Sequence, residues 1–579
     1  MTNNFEACGH IVNFNTILDH NSTIEDLNRL IDKAHEAKNI TCLDYLRTVE
    51  LIECQGMNYR IAIVSLFVLF SRPIFPIEYR RLVNESRDLI KSYKNAFLNI
   101  FDLDTEVERF TGKIEKEIAH IVMNDILEKI QSSIEIMLFS ERISKITKDF
   151  VLCVQNLKPY YFDKLPLNCQ GVIAKECKEP LRNLFASEYA IPIIKTGKEF
   201  KDDTYVAISH HDNEIIVDPS NDEIISVVQA KESMIYKIGD KPSYNDSPIK
   251  LFAPISNTRY LDIIAFDEWY HGCGPIKSEF LFMTKNYIPS QKDQIEYYVN
   301  IFSKMIGKEI IVSIPNFGPF KENSLTKDAF TDLITLNKYE RLYTINMEAI
   351  AEASVIVGTP VKVIVPMIRL NNEVKYWKEL IQDAFEIVGA EKPEVGIFIE
   401  TESTYEFYED YKGMDFAIIG LNDLIEEISD DYDRYSELSK EEFLEVFWPD
   451  IRDLHQHLRS YRLQVRHMVS GNLLKNPQIF NKFLVAGFKE FCMPIHLVKC
   501  CEDSITKYTN TRGSFVGVAA QRIEDKKTLK QRQEQRERKK LMKKVERFKE
   551  KKRKAKERKE NAIKNKAEKN TKLSDENDE

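Results

Sequence analysis

The 579-residue chain lacks the patterns that mark membrane, secreted and zinc-ribbon proteins. Its longest mostly apolar run, Ile61–Phe70, has about half of the roughly 20 residues that a membrane-spanning helix needs. The N-terminus carries neither a basic nor an apolar leader, and the ten cysteines include no CxxC pair. We therefore expect a reduced, cytoplasmic protein without a transmembrane segment, a disulfide framework or a zinc ribbon.

Glycine and proline are scarce, at 19 and 20 residues, which excludes collagen-like and proline-rich disordered chains. The 11 histidines contain no HExxH motif. One HxH pair, His455 and His457, falls on an expected helix where residues two apart do not share a face, so we expect it on the surface. With 43% hydrophobic residues, the chain can bury several cores, and its length predicts two to four domains.

Charge is distributed unevenly along the chain. Residues 521–579 hold 24 Lys and Arg against 13 Asp and Glu, a net charge of +11, so the residues before them carry −20. This part has few apolar residues and cannot form a core of its own. A basic tail, residues 511–579, has sequence-independent affinity for phosphates, which makes nucleic acid or an anionic surface a candidate partner. The simpler interpretation is a solvated helical or disordered appendage.

The spacing of apolar residues divides the rest of the chain and predicts a multidomain fold of the α plus α/β class. Residues 1–148 are an N-terminal segment and a helical region, and residues 149–235 have the short β-branched runs of a small α/β domain. A polar linker, 236–249, precedes residues 250–510, where about eight short apolar runs alternate with helical segments. That alternation predicts a (β/α)8 barrel, with an open doubly wound sheet as the alternative.

Polar residues follow several of the predicted barrel strands. Glu400, Asn422, Asp423 and Ser470 come directly after apolar runs. In either fold the chemistry belongs at these carboxyl ends, and two carboxylates on neighbouring strands are suited to Mg²⁺. Asn and Asp also cap helices well, so a purely structural role stays open.

Five short segments together resemble enzyme I of the bacterial phosphoenolpyruvate:sugar phosphotransferase system, in that family's order and at nearly its spacing. They are Ser278–Met283, Val365–Ile368, Gly396–Thr401, Ile419–Leu424 and Gly487–Met493. The resemblance extends over roughly residues 1–510. It implies a helical subdomain that docks the phosphocarrier HPr, inserted into an α/β phosphohistidine domain, followed by a phosphoenolpyruvate-binding barrel that forms a homodimer.

The resemblance breaks down at the family's phosphohistidine. That position falls on Leu181, or on Arg182 if one residue is inserted, and no histidine lies between His120 and His210. Neither side chain can carry a phosphoryl group as an imidazole does. The resemblance therefore implies a catalytically degenerate homologue of phosphoenolpyruvate-protein phosphotransferase that acts by binding, with an HPr-like phosphocarrier as its candidate partner.

Four positions of the family's barrel site are retained. By the resemblance, Glu400 and Asp423 correspond to the ligands of Mg²⁺, Asn422 to a phosphate-contacting asparagine, and Arg434 to an arginine of the same site. Retention of these residues is compatible with residual metal or ligand binding, and equally with helix capping at strand ends.

Two positions that do chemistry in the family are replaced. Lys277 stands where the family has an arginine. The lysine keeps the positive charge but cannot form the bidentate hydrogen bonds that a guanidinium makes to a phosphate or carboxylate. Ser470 stands in the place of a cysteine proton donor, and a hydroxyl is a far weaker acid than a thiol. An alternative function is a barrel that still binds or turns over phosphoenolpyruvate or a related keto acid with Mg²⁺.

Overall fold

The computed structural model describes most of the chain before the basic tail. The described residues are 7–14, 25–37, 74–100, 116–209, 213–234, 247–266, 268–285, 288–316, 333–428, 443–460 and 464–510. The chain divides into two compact units, Met1–Thr509 and Asn510–Glu579. Arg434, most of the predicted linker and the basic tail lie outside the described residues.

The helical region is confirmed in its described part. It contains helices at residues 25–37 (α1), Ile74–Ser86 (α2), Leu89–Ile100 (α3) and Lys116–Ile143 (α4). Between α2 and α3 the rings of Tyr79 and Tyr93 meet edge to face, with 5.2 Å between their centroids. The same apolar cluster continues to Phe150 of the α/β domain, so the two regions share one core.

The α/β domain is built on one six-stranded sheet. Its strands are Ala7–Asn13 (β1), Phe150–Asn156 (β2), Cys169–Glu176 (β3), Ile193–Lys195 (β4), Tyr205–Ser209 (β5) and Glu214–Val217 (β6), in the spatial order β4-β3-β2-β1-β5-β6. Its helices are Pro159–Phe162 (α5), Glu179–Tyr189 (α6) and Asn221–Met234 (α7).

Strand β1 was not anticipated from local pattern, which grouped it with the helical region. It runs parallel to β2 and antiparallel to β5 in the interior of the sheet. Gly9 fits this crowded position, because a Cβ there would lie 2.9 Å from the backbone carbon of Phe150. The helical region is therefore an insertion between β1 and β2, as the resemblance implies.

Residues 250–510 form a closed barrel of eight parallel strands, which confirms the predicted barrel and excludes the open sheet. The strands are Lys250–Ile255 (β7), Tyr270–Lys277 (β8), Glu309–Ser313 (β9), Lys362–Val365 (β10), Val395–Ile399 (β11), Phe416–Gly420 (β12), Arg466–Ser470 (β13) and Glu490–Cys492 (β14). Pairing of β14 with β7 closes the ring.

Helices surround the barrel. They are Leu261–Phe266 (α8), Glu279–Met283 (α9), Gln291–Lys304 (α10), Leu333–Val357 (α11), Asn371–Val388 (α12), Glu402–Glu406 (α13), Leu421–Ile428 (α14), Trp448–Leu458 (α15), Pro477–Ala486 (α16) and Ile495–Asn510 (α17). Short 3₁₀ or π turns occupy Tyr408–Asp410, Phe443–Phe447 and Asn472–Lys475. None of the helices in the described ranges is long and apolar enough to cross a membrane.

Side chains fill the interior of the barrel. The inward-facing cluster consists of Phe252, Ile311, Ile364, Phe398, Phe416, Ile418, Met468 and Cys492. The barrel is therefore a packed core rather than a channel, and a ligand site belongs at the carboxyl ends of its strands.

Charged residues close the opposite end of the barrel, where the strands begin. The guanidinium of Arg466 donates through Nε to Glu490 (2.7 Å) and through Nη1 to Glu309 (2.5 Å). The Nζ of Lys362 lies 3.5 Å from the same Glu309 oxygen. Residues at this end of a (β/α)8 barrel are expected to stabilise the fold rather than to take part in chemistry.

The prediction that His455 and His457 lie on the surface is wrong for His455. His455 is 3% exposed, its ring stacks on Phe488 with 3.8 Å between centroids, and its Nδ1 lies 2.6 Å from Nε2 of His467. His457 is partly buried and packs on the ring of Tyr408. Helical spacing correctly places the two histidines on different faces of α15. The burial of His455 depends on His467 of β13 and Phe488 of the loop before β14, which pack against this helix.

Acid is expected to destabilise the protein through His455. Burial, then the neighbouring His467 and Arg459, hold the pKa of His455 at about 3, below the ordinary value of about 6.5. Between these values the unfolded chain binds more protons than the folded one, so this contribution is intact above pH 6.5 and is lost as the pH falls towards 3. We expect the free energy of unfolding to drop by about 1 to 2 kcal/mol from pH 7 to pH 5 on this account.

Denaturant titration at the two pH values measures the loss. His455→Gln keeps a side chain that can hydrogen-bond to His467 but cannot titrate, so its stability should fall less on acidification than that of the wild type. An equal fall in the two proteins would contradict the assignment to His455.

Candidate functional site

A pocket lies between the carboxyl ends of the barrel strands and the last turn of α6 in the α/β domain. Its polar lining consists of Ser187, Glu188, Ser256, Asn257, Tyr260, Lys277, Asn422, Ser470, Asn472 and His496. Three residues singled out from the sequence, Lys277, Asn422 and Ser470, therefore line one cavity. The fold supplies the reason, since they stand at or just after the ends of β8, β12 and β13.

Lys277 is the last residue of β8 and is ion-paired with Glu188 of α6, through Nζ and Oε1. The hydroxyl of Ser256 donates to the second oxygen of the same carboxylate. The side chains of Lys277 and Glu188 are 27% and 18% exposed. The positive charge that the sequence places in the site is therefore neutralised by a carboxylate of the chain itself.

Asn422 and Ser470 are held by the turn that follows β13. The Oδ1 atom of Asn422 accepts a hydrogen bond from the backbone N–H of Asn472, at 2.9 Å. Between Ser470 and Asn472, Gly471 has φ +149°, and a Cβ there would lie 2.7 Å from the Cβ of Leu421. The turn thus requires glycine, and both Ser470 and Asn422 line the pocket.

Glu400 and Asp423 lie beside this pocket and do not line it. Glu400 follows β11, is 4% exposed, and its Oε1 accepts a hydrogen bond from the backbone N–H of Met367 at 2.8 Å. Met367 has φ +54°, an uncommon conformation for a side chain of this type, which the carboxylate supports. Asp423 is in the first turn of α14, where the helix dipole favours a carboxylate.

These residues fit Mg²⁺ only as part of a site that a ligand completes. Within the described residues no group of three or more His, Cys, Asp or Glu is arranged to hold a metal ion. Mg²⁺ is commonly bound by one or two carboxylates together with substrate phosphates and waters. Glu400 and Asp423, the two carboxylates that the sequence predicts for such a set, follow the paired strands β11 and β12.

Leu181, the residue at the expected phosphohistidine position, lies in the first turn of α6 and does not line the pocket. Its side chain packs against the apolar cluster shared with the helical region. The alternative position, Arg182, donates through Nη1 to Oδ1 of Asn213 at 3.0 Å. It is the other end of α6, at Glu188, that faces the barrel.

Several pocket residues were not singled out from the sequence, among them Ser256, His496 and Glu188. Ser256 and His496 follow the ends of β7 and β14, so the same strand-end rule that selects Glu400 would have found them. Burial is the main cause that lowers the pKa of His496, to about 4, so its ring is neutral at pH 7. Glu188 gives no local signal, because it comes from a helix of a different domain.

Arg259 fastens the α/β domain to the barrel next to the pocket. Its guanidinium donates to the backbone carbonyl oxygens of Pro166 at 2.7 Å, Leu167 at 3.0 Å and Cys169 at 2.8 Å. Hydrogen bonds from a charged donor are stronger than neutral ones. These hydrogen bonds hold the α/β domain against the barrel, and with it the end of α6 that carries Glu188.

Comparison with known proteins agrees with this architecture. Residues 237–508 match the family model for the PEP-utilising enzyme, PEP-binding domain. The phosphoenolpyruvate-protein phosphotransferase of Priestia megaterium is 24% identical over 272 residues, 42% of this chain and 47% of that protein. The enzyme of the same name from Buchnera aphidicola subsp. Baizongia pistaciae is 29% identical over 272 residues, 42% of this chain and 46% of that protein.

A multiphosphoryl transfer protein of Rhodobacter capsulatus is 28% identical over 162 residues, 26% of this chain and 19% of that protein. The chain thus matches these relatives over less than half of their length. The family match begins before β7 and ends within α17, so it covers the barrel with all eight strands. The barrel is therefore the part of the chain that resembles the PEP-utilising enzymes, phosphoenolpyruvate-protein phosphotransferases among them.

Proposed function

We propose that this chain is a phosphoenolpyruvate-protein phosphotransferase homologue that has lost phosphoryl transfer and acts by binding. Leu181 carries the proposal, because a hydrocarbon side chain at the phosphohistidine position has no nucleophile. The ion pair between Lys277 and Glu188 supports it, since a positive charge needed to hold an anionic phosphoryl donor is already engaged.

The proposed partner is an HPr-like phosphocarrier that docks on the helical region. The relatives' name specifies a protein as phosphoryl acceptor, and the resemblance to enzyme I identifies that acceptor as an HPr-like protein. A homodimer through the barrel and a cytoplasmic location belong to the same proposal.

The full chain is expected to stay unlabelled when it is incubated with HPr, Mg²⁺ and radiolabelled phosphoenolpyruvate. The measurement is autoradiography after electrophoresis at alkaline pH, where phosphohistidine survives, and an enzyme I with an intact histidine is the positive control. Leu181→His should also stay unlabelled, because position 181 packs away from the pocket. Acid-labile label on the wild-type chain would refute the proposal.

A second candidate function is Mg²⁺-dependent binding of phosphoenolpyruvate or a related keto acid by the barrel. The convergence of Lys277, Asn422 and Ser470 on one pocket favours it. Glu400 and Asp423 would hold the ion, which supplies positive charge against the phosphate of the ligand. Lys277 orients an anionic group, and the Asn422 amide and Ser470 hydroxyl supply hydrogen bonds to it.

Calorimetric titration with phosphoenolpyruvate, with and without Mg²⁺, tests this second function. Glu400→Gln still accepts the hydrogen bond from Met367 but removes a charge from the metal, so any Mg²⁺-dependent affinity should fall at least about tenfold. Glu379→Gln, on the outer surface of α12 and 63% exposed, is the matched control and should bind like the wild type. Identical titrations with and without Mg²⁺ in the wild type would remove this candidate.

Binding of nucleic acid or an anionic surface by residues 511–579 stays a prediction. It rests on the net charge of +11 in residues 521–579, and the tail lies outside the described residues.

A further inference from the structure

The carboxylate of Glu188 occupies the pocket in the way that a bound anion would. One oxygen is paired with the ammonium of Lys277 and the other accepts from the hydroxyl of Ser256. A cation and a hydroxyl that converge on the two oxygens of one carboxylate form the kind of polar set that fixes a small carboxylate or phosphate in a pocket.

The end of α6 is held in place by further contacts around this carboxylate. The side-chain amide of Asn257 donates to the backbone carbonyl oxygen of Glu188, at 3.0 Å. One helical turn earlier, the ring of Phe185 meets the ring of Phe280 edge to face, with 6.1 Å between centroids. With the hydrogen bonds of Arg259, these contacts present the carboxylate on a fixed backbone rather than on a loose loop.

We propose that Glu188 is an internal competitor that closes the pocket to small carboxylates and phosphates. The inference rests on the proposed function, in which the chain keeps a barrel pocket and works by binding. An anionic ligand must displace Glu188 from both Lys277 and Ser256 before it can use them. A group tethered to the same chain competes at an effective concentration of roughly millimolar or more, so weak anions are excluded.

Displacement of Glu188 also loosens the end of α6 from the mouth of the barrel. Anion binding and release of this helix end are therefore thermodynamically linked. The free energy by which anion binding favours release equals the free energy by which release favours anion binding. The last turn of α6 then acts as a lid over the pocket, and the Glu188 carboxylate is one of the contacts that keep it closed.

Glu188→Gln tests the competitor directly. The amide oxygen still accepts from Lys277 and the side chain keeps its shape, but the negative charge is gone. Phosphoenolpyruvate and inorganic phosphate, titrated without metal, should bind the variant at least about tenfold more tightly than the wild type. The double variant Glu188→Gln with Lys277→Met should lose that gain, because the cation is then missing.

Glu199→Gln is the matched control, since its side chain is 90% exposed on the same domain, and it should bind like the wild type. In the wild type, saturating phosphate should raise deuterium uptake in residues 185–190, a measurement that needs no variant. An affinity of Glu188→Gln equal to the wild type, a gain that survives in the double variant, or unchanged deuterium uptake would overturn the inference. Label transferred from phosphoenolpyruvate to the chain would instead refute the proposed loss of phosphoryl transfer.

Discussion

Replacement of Arg466 by methionine is expected to lower the free energy of unfolding by roughly 2 to 4 kcal/mol. The guanidinium bridges Glu309 and Glu490 at the closed end of the barrel, where the three side chains are 26%, 27% and 16% exposed. Methionine fills much of the same space but leaves two partly buried carboxylates without their shared cation. Lys362, at 3.5 Å from Glu309, compensates only one of them.

Denaturant titration at pH 7 measures this loss, and two variants separate charge from packing. Arg466→Lys keeps a charge but cannot form the two-sided bridge, so its loss should be smaller than that of methionine. Adding Glu309→Gln and Glu490→Gln to Arg466→Met should recover part of the stability, because the uncompensated charges are removed. A triple variant less stable than Arg466→Met alone would contradict the electrostatic explanation.

The barrel strands are the part of the fold that local sequence predicts best. Most are short apolar runs bounded by turn residues, and the less apolar segments Tyr270–Lys277 and Arg466–Ser470 are strands as well. Closure of the ring depends on the pairing of β14 with β7, about 240 residues earlier in the chain, which no local pattern contains. Strand β1 was missed for the same reason, since its partners begin at Phe150 and Tyr205.

The site was predictable only where a residue follows its own strand. Ser470, selected by the strand-end rule, and Lys277, selected by the resemblance, both stand at strand ends and line one pocket. Glu188 decides the charge of that pocket, yet it comes from a helix of another domain and looks from sequence like any exposed helical glutamate. His455 was misjudged likewise, because its burial depends on His467 and Phe488.

Replacement of Arg259 by methionine is expected to weaken the joint between the α/β domain and the barrel by about 3 kcal/mol. Three carbonyl oxygens, of Pro166, Leu167 and Cys169, lose a charged donor at distances of 2.7 to 3.0 Å. Hydrogen bonds from a charged donor contribute about 1.5 to 3 kcal/mol each. Because Arg259 is partly exposed, water can hydrogen-bond to the carbonyl oxygens in the variant, so the total loss is smaller than the sum of three such bonds. With the joint weakened, the two domains should unfold in two calorimetric transitions rather than one.

A lysine at position 259 separates the role of this arginine in joining the domains from a general loss of stability. Arg259→Lys keeps a charge that can reach one carbonyl oxygen rather than three, so its transitions should lie closer together than those of Arg259→Met. Arg80→Met, at a side chain 51% exposed on the helical region, should leave the profile of the wild type. The joint also carries Glu188 to the pocket, so Arg259→Met should bind phosphate more tightly than the wild type. A single transition at the wild-type temperature would show that Arg259 does not fasten the domains.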